Sequence, residues 1–520
     1  AIGNDAATLA TSENGIAIGN GARAEGQQRV NVPYPAGTIA IGQGSVAKEN
    51  GDIVIGRQAK STISMYHQQP GSGAVVMGAE AASYGSRGDV VIGAAAEANI
   101  IRKNATVDGD GQLFSQSVAI GSVAKVYGTQ SVAIGGDVRS IGHSSIAIGG
   151  DDIDKAKPDL YKVIPDLAVP GTQKNFNREV AALHPSGLGT AGLNDSKNYV
   201  NTASIGNASL AIGMMTQSLG TGSNAIGANS LSKGVASSAI GAMARSWGNN
   251  SLAIGSQAGA YGEKSTSLGD ANIVGFDMTN ATLSGSAAGA LGRGNKVYGN
   301  NAYAIGSENT VGSATVTETT ESNGDKIKKV TAGTVKGNTA GAFGYKNTIT
   351  TDNSYVVGSN STISADNGMV LGNSATVTGA NGLALGNNTK VANDNAVAIG
   401  NGSETAAAAA TPSATINGVT HASTVSVGKA GMERTVTNVA AGRISATSTD
   451  AINGSQLFAV KTEVEKGVSY AGDVKAAAAA DNKFTRKLGE QTNVVGGVTD
   501  VTKLTDNNIG VVSNGTDTLN

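Results

Sequence analysis

Large and small side chains alternate along much of this chain in a short motif that returns at a fixed interval. The motif Ser-Val-Ala-Ile-Gly occupies residues 117–121 and 131–135, and it returns at 145–149 with one Val-to-Ile change. Its closing glycine recurs in steps of 14 residues elsewhere, for example from Gly213 to Gly269. A fixed period indicates a repeat architecture rather than a series of independent globular domains.

Each repeat contains two turn signals. A second glycine often falls halfway between the closing glycines, as at Gly220 and Gly234. Two turns within 14 residues leave two strands of about five residues each, and the alternation of side-chain size has the period of two that a strand requires. The sequence therefore predicts an all-β chain in which each repeat forms one coil of a β-solenoid.

The alternation gives each repeat strand two different faces. Val118 and Ile120 point to one side, whereas Ser117, Ala119 and Gly121 point to the other. A coil of 14 residues encloses little space, so alanine and serine can fill it, and the branched face then needs cover from a partner chain. The opposite arrangement places valine and isoleucine inside a single-chain solenoid. The motif alone leaves both arrangements open.

The residues at the corners suit tight turns. Glycine adopts a positive φ without a Cβ clash, and Asn or Asp beside it tolerates the same region. Asn20, Asp137, Asn373 and Asn387 stand directly after a glycine or one residue beyond it. We expect these four residues to share the left-handed turn conformation.

Long insertions interrupt the repeat, chiefly at 151–203, 270–288, 308–341 and 401–424. All eight prolines lie in interruptions of the repeat, as expected because proline cannot donate within a continuous ladder. These segments are predicted to be loops attached to the solenoid.

The insertion at 151–203 concentrates aromatic side chains. It displays Tyr161, Phe176 and Tyr199 and carries a possible short helix around 174–183. Aromatic residues are over-represented among contact hot spots, so these three are the candidate ligand-binding residues.

The insertion at 308–341 carries a hairpin signal. Residues 315–321 and 326–331 flank the pair Asn323-Gly324, which favours a tight turn between two strands.

Later segments of the chain contain several short motifs. Val425–Lys429, Asn438–Gly442 and Asp450–Leu457 resemble the neck of the trimeric autotransporter adhesins, a family of bacterial surface proteins. The repeats before them are similar to its head, and Phe484–Glu490 and Asn508–Val511 are similar to a stalk domain.

The resemblance implies a division of the chain into four parts. Residues 1–424 would form the head, 425–457 the neck, 458–483 a short coiled coil with a linker, and 484–520 the start of a β-rich stalk domain. The family head is a left-handed parallel β-roll, and three such rolls associate side by side as a homotrimer.

The resemblance also implies where the three chains meet. Leu457, Val460 and Val464 are spaced three and four apart on a helix predicted to start near Asp450, which suits a short coiled-coil seam. In the head, the branched face would supply the trimer interface through the following residues: Val118, Ile120, Val132, Ile134, Ile240 and Ile254.

Composition narrows the chemistry further. The 520 residues include 74 glycines and no cysteine, which excludes a disulfide scaffold and thiol chemistry. Lys and Arg number 37 against 39 acidic residues, so the chain lacks the basic excess of a nucleic-acid binder, and no such partner is expected. No run of 18 apolar residues and no signal pattern occurs, so we expect any membrane anchor to lie outside this fragment.

Motifs that resemble catalytic ones fall on solenoid positions. Ser45–Lys48 and Ser122–Lys125 match the Ser-x-x-Lys pattern, which needs serine and lysine one helical turn apart, but both lie at predicted solenoid turns. Gly220–Ala225 fits a relaxed dinucleotide fingerprint without the strand-to-helix context that such a site requires. We predict no catalytic residue and no cofactor.

No metal site is predicted either. The four histidines are scattered without ligand spacing, and Asp151, Asp152 and Asp154 lack the twelve-residue, helix-flanked loop of a calcium site. Trp247, the only tryptophan, is either an exposed contact or a residue packed on a neighbouring coil.

Three classes of function are compatible with this chain. The resemblance favours an adhesin head on the bacterial surface, projecting from the outer membrane and binding host matrix proteins, cell-surface proteins or glycans, or the same adhesin on another cell. The second class is a passive spacer within a fibre. The third, a polysaccharide-cleaving β-helix or phage spike, needs paired carboxylates on one groove, and the repeat strands carry few acids.

Overall fold

A computed structural model describes most of the chain and shows two compact units, residues 1–433 and 434–520. The described residues are 1–9, 12, 14–27, 37–62, 73–85, 88–100, 116–150, 201–275, 285–313, 315–320, 326–330, 334–407, 423–475, 477–478, 481–495, 500–503, 505 and 512–519.

The first unit is a solenoid of two parallel sheets, and each regular coil gives one strand to each sheet. Sheet I contains the strands Ile16–Ile18, Ile39–Ile41, Ile53–Ile55, Val75–Met77, Val90–Ile92, Val118–Ile120, Val132–Ile134, Ile146–Gly150, Leu210–Met214, Asn224–Ile226, Ser238–Ile240, Leu252–Ile254, Thr266–Leu268, Gly289–Arg293, Tyr303–Ser307, Gly341–Tyr345, Tyr355–Ser359, Met369–Leu371, Leu383–Leu385, Val397–Ile399 and Val425–Ser426.

Sheet II contains the strands Ala7–Thr8, Arg23–Gln27, Val46–Glu49, Lys60–Ser61, Ala82–Ser83, Glu97–Ala98, Lys125–Val126, Arg139–Ser140, Ala203–Ser204, Gln217–Ser218, Leu231–Ser232, Arg245–Ser246, Gly259–Ala260, Ile273–Val274, Lys296–Val297, Thr310–Val311, Thr348–Ile349, Thr362–Ile363, Thr376–Val377 and Lys390–Val391. Each strand pairs in parallel with the strand of the next coil, so equivalent motif positions stack in register. Val118 faces Val132, for example, and Ile120 faces Ile134. The all-β solenoid is therefore confirmed.

Small side chains fill the inside of the solenoid. Ala119 and Ala133 are fully buried at the centres of their sheet I strands, whereas the residues on either side of them point outward. In many coils a small residue on one sheet faces a larger one on the other: Ala119 shares its coil with the buried Val126, and Val91 shares its coil with the buried Ala98. Two later coils bury branched side chains on both sheets, Val356 with Ile363 and Val370 with Val377. The central residue of each sheet I strand, alanine in most coils, therefore lies inside, and the branched face lies outside.

Buried hydroxyls inside the coils are satisfied by local hydrogen bonds. The Oγ atoms of Ser140 and Ser145 lie 2.7 Å apart, and Ser145 Oγ donates to the carbonyl oxygen of Gly142 at 2.7 Å. The Ser204–Ser209 pair repeats this arrangement. A polar interior of this kind is stable because most buried hydroxyls have a partner; among the described residues, the Oγ atoms of Ser12 and Ser230 are exceptions.

The corner glycines are required by both conformation and space. Gly227 has φ = +121°, and a Cβ built there would lie 2.6 Å from the carbonyl oxygen of Gly241 on the next coil. Among the four Asn and Asp residues expected in the left-handed region, only Asp137 adopts it, with φ = +54°. The left-handed residue is the second after the glycine, and Asn20, Asn373 and Asn387 are the first.

The insertions begin later than the sequence predicts. Ile273–Val274 and Thr310–Val311 are regular sheet II strands, although they fall within the predicted insertions at 270–288 and 308–341. They lack the motif letters but keep its alternation, with Val311 buried and Thr310 pointing outward. The described part of the insertion at 308–341 contains the predicted hairpin.

That hairpin joins Val316–Thr320 to Lys326–Val330 in an antiparallel pair. Its predicted turn, like the predicted helix at 174–183, lies outside the described residues. So do Tyr161, Phe176 and Tyr199, and the three aspartates at 151, 152 and 154.

The second unit contains one described α-helix, α1, at Gly454–Glu465. An antiparallel pair follows, Val468–Ala471 with Lys483–Arg486. A four-stranded sheet contains, in spatial order, Val474–Lys475, Val512–Ser513, Thr518–Leu519 and Asn493–Val494. A short 3₁₀ helix lies at Val501–Lys503.

The helix starts after the predicted position near Asp450. Asp450 is held outside it by Arg443, whose Nε and Nη2 donate to the carboxylate at 2.8 and 3.2 Å. Asn453 caps the helix instead, in a capping box with Gln456. Gly467, with φ = +69°, follows the C-terminus, so strands begin within the range 458–483 that was predicted as coiled coil and linker.

Candidate assembly surface

The outward face of sheet I carries two rows of side chains that run from coil to coil. We call the first residue of each sheet I strand the leading row and the third residue the trailing row. Neither row contains a charged residue in the strands described above. The trailing row is apolar at every position: Ile18, Ile41, Ile55, Met77, Ile92, Ile120, Ile134, Ile148, Ile212, Ile226, Ile240, Ile254, Leu268, Leu291, Ile305, Phe343, Val357, Leu371, Leu385 and Ile399.

These apolar side chains remain in contact with solvent. Leu291 and Leu371 are about half exposed, at 50% and 51%, and Ile254 is 38% exposed. Full burial of such a side chain stabilises a protein by roughly 1.5–3 kcal/mol relative to leaving it in water. A continuous apolar surface of this length is uncommon on a monomeric soluble protein and is typical of an interaction surface.

The head residues predicted for the trimer interface all lie in these two rows. Val118 and Val132 belong to the leading row, and Ile120, Ile134 and Ile240 belong to the trailing row, all half-buried. Ile254 completes the set in the trailing row. The structure therefore brings the six onto one face, although their role in association stays a prediction.

The helix of the second unit has the same character. Leu457, Val460 and Val464 of α1 are 66%, 55% and 51% exposed, and the helix buries none of its side chains. A helix is held mainly by packing of its apolar stripe, and among the described residues none covers this stripe.

Sheet II presents a different outward face. Lys60 and Lys296 are exposed there, and Lys125 pairs with Glu97 at 3.1 Å between Nζ and Oε2. Thr348 and Thr362 continue this polar surface in later coils. Only sheet I therefore has a continuous apolar exterior in the described part of the solenoid.

One apolar cluster interrupts that polar surface. Trp247 and Tyr261 are almost fully buried, with their rings edge to face at 5.8 Å, and they group with Met215 and Leu231. Lys233 Nζ lies 4.6 Å from the Trp247 ring centroid. Of the two interpretations of Trp247, packing on the neighbouring coils is the one adopted.

The motifs discounted as catalytic occupy solenoid positions. Ser45 is buried and its Oγ donates to the Gly42 carbonyl oxygen at 3.0 Å, while Val46–Glu49 is a strand, so Ser45 and Lys48 are not one helical turn apart. Lys125 is paired with Glu97, as described above.

The buried Asp52 escaped the sequence analysis. Its carboxylate accepts hydrogen bonds from Ser61 Oγ at 2.6 Å and from the amides of Glu49 and Ala74 at 2.9 and 2.8 Å. Burial raises the pKa of Asp52 from 3.8 to about 6, against the lowering effect of these donors. The sequence did contain a signal for its burial. Asp52 directly precedes the strand residue Ile53, which is the repeat position that Ser117 occupies before Val118.

Asp89 occupies the equivalent place two coils later. It is also buried, and it accepts from Ser83 Oγ at 2.7 Å and from the amide of Ser117 at 2.9 Å. Asp52 and Asp89 therefore each bind the first residues of the coil that follows an insertion, which closes the solenoid across the interruption.

The described residues offer no arrangement suited to a metal ion, since no three His, Asp or Glu side chains converge there. His143, the one histidine described, is exposed at a turn, where its Nδ1 lies 3.2 Å from the amide of Thr129. Within the same residues, no helix is both long and apolar enough to span a membrane.

Two family models match parts of the chain. The model described as "Coiled stalk of trimeric autotransporter adhesin" matches residues 435–480. The model described as "YadA head domain repeat (2 copies)" matches seven segments: 10–28, 36–59, 115–137, 232–258, 248–272, 364–389 and 378–403.

Individual relatives match over shorter shares of their length. An autotransporter adhesin, BtaE, of Brucella suis biovar 1 (strain 1330) is 42% identical over 97 residues, which is 17% of this chain and 12% of the relative. The chain thus spans about an eighth of that protein. A solved C-terminal YadA-like domain from Burkholderia pseudomallei is 31% identical, with 29% of this chain and 68% of that chain covered and a TM-score of 0.16.

Proposed function

This chain belongs to the trimeric autotransporter adhesins, a family of structural adhesins rather than enzymes, and on that premise we propose how its surfaces are used. Three copies associate through the outward face of sheet I, so that this face becomes internal to the assembly. The polar exterior of sheet II and the insertions then face outward, where they attach the bacterium to host matrix proteins, to cell-surface proteins or glycans, or to the same adhesin on another cell.

The observation that carries the proposal is the trailing row. Its uninterrupted apolar character has no use in a lone chain, because the interior of the solenoid is already filled by Ala119, Val126 and their equivalents. A second copy offers the matching apolar surface, and the uncharged rows let the two faces approach without burying an unpaired charge. The exposed stripe of Leu457, Val460 and Val464 on α1 supports the same association.

The proposed mechanism of attachment is multivalent. Three chains in one assembly present each binding surface three times, so that weak contacts add through effective concentration. Within the chain, the insertion at 151–203 is the proposed contact region, since Tyr161, Phe176 and Tyr199 offer aromatic contacts. The protein acts from the bacterial surface.

Adhesion is tested with the purified chain and a variant in which residues 153–201 are replaced by a short Gly-Ser linker. Binding to collagen, fibronectin, laminin and whole cells is measured by surface plasmon resonance and by cell attachment. The proposal predicts binding by the unmutated chain and its loss in the variant. The control is a variant with Gly136→Ala, at a turn position with open space around it, which should bind normally.

The outcomes separate the alternatives. Equal adhesion by both chains would contradict the role of the insertion and move the contact to the repeated exterior. If the unmutated chain bound none of these surfaces and did not bind a second assembly of the same chain, the passive-spacer function would be favoured instead.

A further inference from the structure

The leading row of sheet I changes its chemistry along the chain, whereas the trailing row does not. From Ile16 to Leu210 every leading residue is isoleucine, valine or leucine. Beyond Leu210 small, polar and aromatic residues interrupt the row: Asn224, Ser238, Thr266, Gly289, Tyr303, Gly341 and Tyr355. We call the leading row from Asn224 to Tyr355 the register segment.

Two glycine–tyrosine pairs form the later part of the register segment. Gly289 pairs with Tyr303 across neighbouring strands, and Gly341 pairs with Tyr355 in the same way. A Cβ added to either glycine would lie 3.1 Å from Cδ1 of its tyrosine, so each ring leans over the glycine of the preceding coil. Both glycines are buried beneath the rings.

The rings do more than cover their own glycines. Tyr303 remains 51% exposed and Tyr355 remains 43% exposed, so about half of each ring is left for a partner. Aromatic cover of a strand glycine is a known way to stabilise a single sheet, but it does not require so much ring surface to stay open.

The earlier part of the register segment is polar. Asn224 Nδ2 donates to Ser238 Oγ at 3.2 Å, on a face whose trailing row is wholly apolar. Both side chains are partly exposed, and they lie directly beside the isoleucines of the trailing row. An amide placed against an aliphatic surface of another chain would lose hydrogen bonds to water without replacement.

A uniform row cannot distinguish a neighbour that is aligned from one displaced by whole coils, because every coil then offers the same side chain. A row that contains polar, glycine and tyrosine positions can distinguish an aligned neighbour from a displaced one. We propose that the register segment selects as partner a second copy of this chain aligned coil for coil, and rejects displaced copies and heads with a uniform aliphatic face. The inference rests on the proposed association through sheet I.

The physical basis is discrimination by mismatch. In an aligned assembly the polar layer meets polar layers and the tyrosines meet tyrosines. In a mismatched one, Asn224 faces an aliphatic residue and the open half of each tyrosine ring loses its aromatic neighbours. Partner specificity commonly depends on such penalties as much as on the favourable contacts.

The test is the mixing of two full-length chains that carry different tags and are expressed together. One is unmutated; the other replaces six of the seven interrupting residues, all except Thr266, through Asn224→Val, Ser238→Val, Gly289→Val, Tyr303→Val, Gly341→Val and Tyr355→Val. Neither glycine has a positive φ, and removal of Tyr303 leaves ordinary contact distances around a Cβ at Gly289. At Gly341 the ring of Phe343, 3.3 Å from such a Cβ, has to move by a few tenths of an ångström. Native mass spectrometry counts the mixed trimers.

We expect mixed trimers to fall at least about threefold below the binomial proportion. A control variant with Val118→Ile, Val132→Ile and Ile146→Val changes the row only within its aliphatic part, and it should mix binomially with the unmutated chain. Should the sixfold variant fail to assemble, the pair Gly289→Val and Tyr303→Val is used, with the same direction expected.

Two different results would separately contradict the selection by the register segment and the association through sheet I. Trimers that mix as freely as the control variant would refute selection by the register segment while leaving the association intact. A monomer mass for the unmutated chain would refute the association through sheet I, and the selection with it.

Discussion

At the scale of single residues, backbone space rather than side-chain chemistry decides which positions can vary. The corner glycines stack against one another, so that each Cα faces a carbonyl of the next coil. Gly227 combines this close approach with a φ of +121°, which L-residues rarely adopt. Gly136 directly follows the corner glycine Gly135 in the same turn. Its φ is not positive, and no atom lies within 4 Å of the position that a Cβ would take.

Gly227→Ala should therefore destabilise the protein by more than about 2 kcal/mol, through backbone strain and a clash with the Gly241 carbonyl oxygen. Gly136→Ala should change the free energy of unfolding by less than about 0.5 kcal/mol. Both values come from denaturant unfolding followed by circular dichroism. Equal stability of the two variants would show that the coils can separate at the corner, contrary to the packing described.

Asp52 should make stability depend on pH. Its pKa in the folded chain is raised to about 6, so folding favours the neutral carboxyl, and this contribution is present below about pH 4 and is lost as the pH rises through 6. Relative to Asp52→Ser, the unmutated protein should gain about 2–3 kcal/mol between pH 7 and pH 4, since one pKa unit corresponds to about 1.4 kcal/mol.

The measurement is the free energy of unfolding of both chains at several pH values. The matched control is Asn387→Ser at an exposed turn, which removes no titratable group and should therefore leave the pH dependence unchanged. A constant difference between the unmutated chain and Asp52→Ser from pH 4 to pH 7 would contradict the raised pKa.

At the scale of elements, the motif was sufficient to predict the coil, but it left open which face lies inside, and the family resemblance favoured the small interior and the apolar exterior. The motif did not predict coils that keep the alternation of inward and outward side chains but lack its residue types, as in Ile273–Val274 and Thr310–Val311. It also missed Asp52, because the cost of burying a carboxylate depends on neighbours in the next coil. The start of α1 was misplaced because the Arg443–Asp450 pair, seven residues apart, is a tertiary contact.

The second unit should contribute to the stability of the first through association. A chain that ends at Glu433 keeps the first unit but lacks α1, whose apolar stripe is exposed in the single chain. We expect it to melt at a lower temperature than the full chain, and to melt earlier on dilution, because association adds to apparent stability. Differential scanning calorimetry at two concentrations measures both effects. The same melting temperature with and without residues 434–520 would argue against this role.

At the scale of the whole molecule, charge and apolar surface are segregated. The chain has a net charge of only −2, and its described sheet I rows carry no charge at all. Sheet II presents lysine, glutamate and threonine instead. A chain with one continuous apolar side and one polar side is suited to associate by the first and to meet its surroundings with the second.

The most direct test of the association is the mass of the full chain in solution, measured by light scattering after size-exclusion chromatography. We expect three times the 51.4 kDa of one chain. Ile240→Asp with Ile254→Asp should give a monomer or an unfolded chain, because each buried carboxylate costs several kcal/mol, about 3–5. Thr348→Asp with Thr362→Asp, on the outward face of sheet II, should leave the trimer intact. A monomer mass for the unmutated chain, or trimers that survive the sheet I substitutions, would contradict the account.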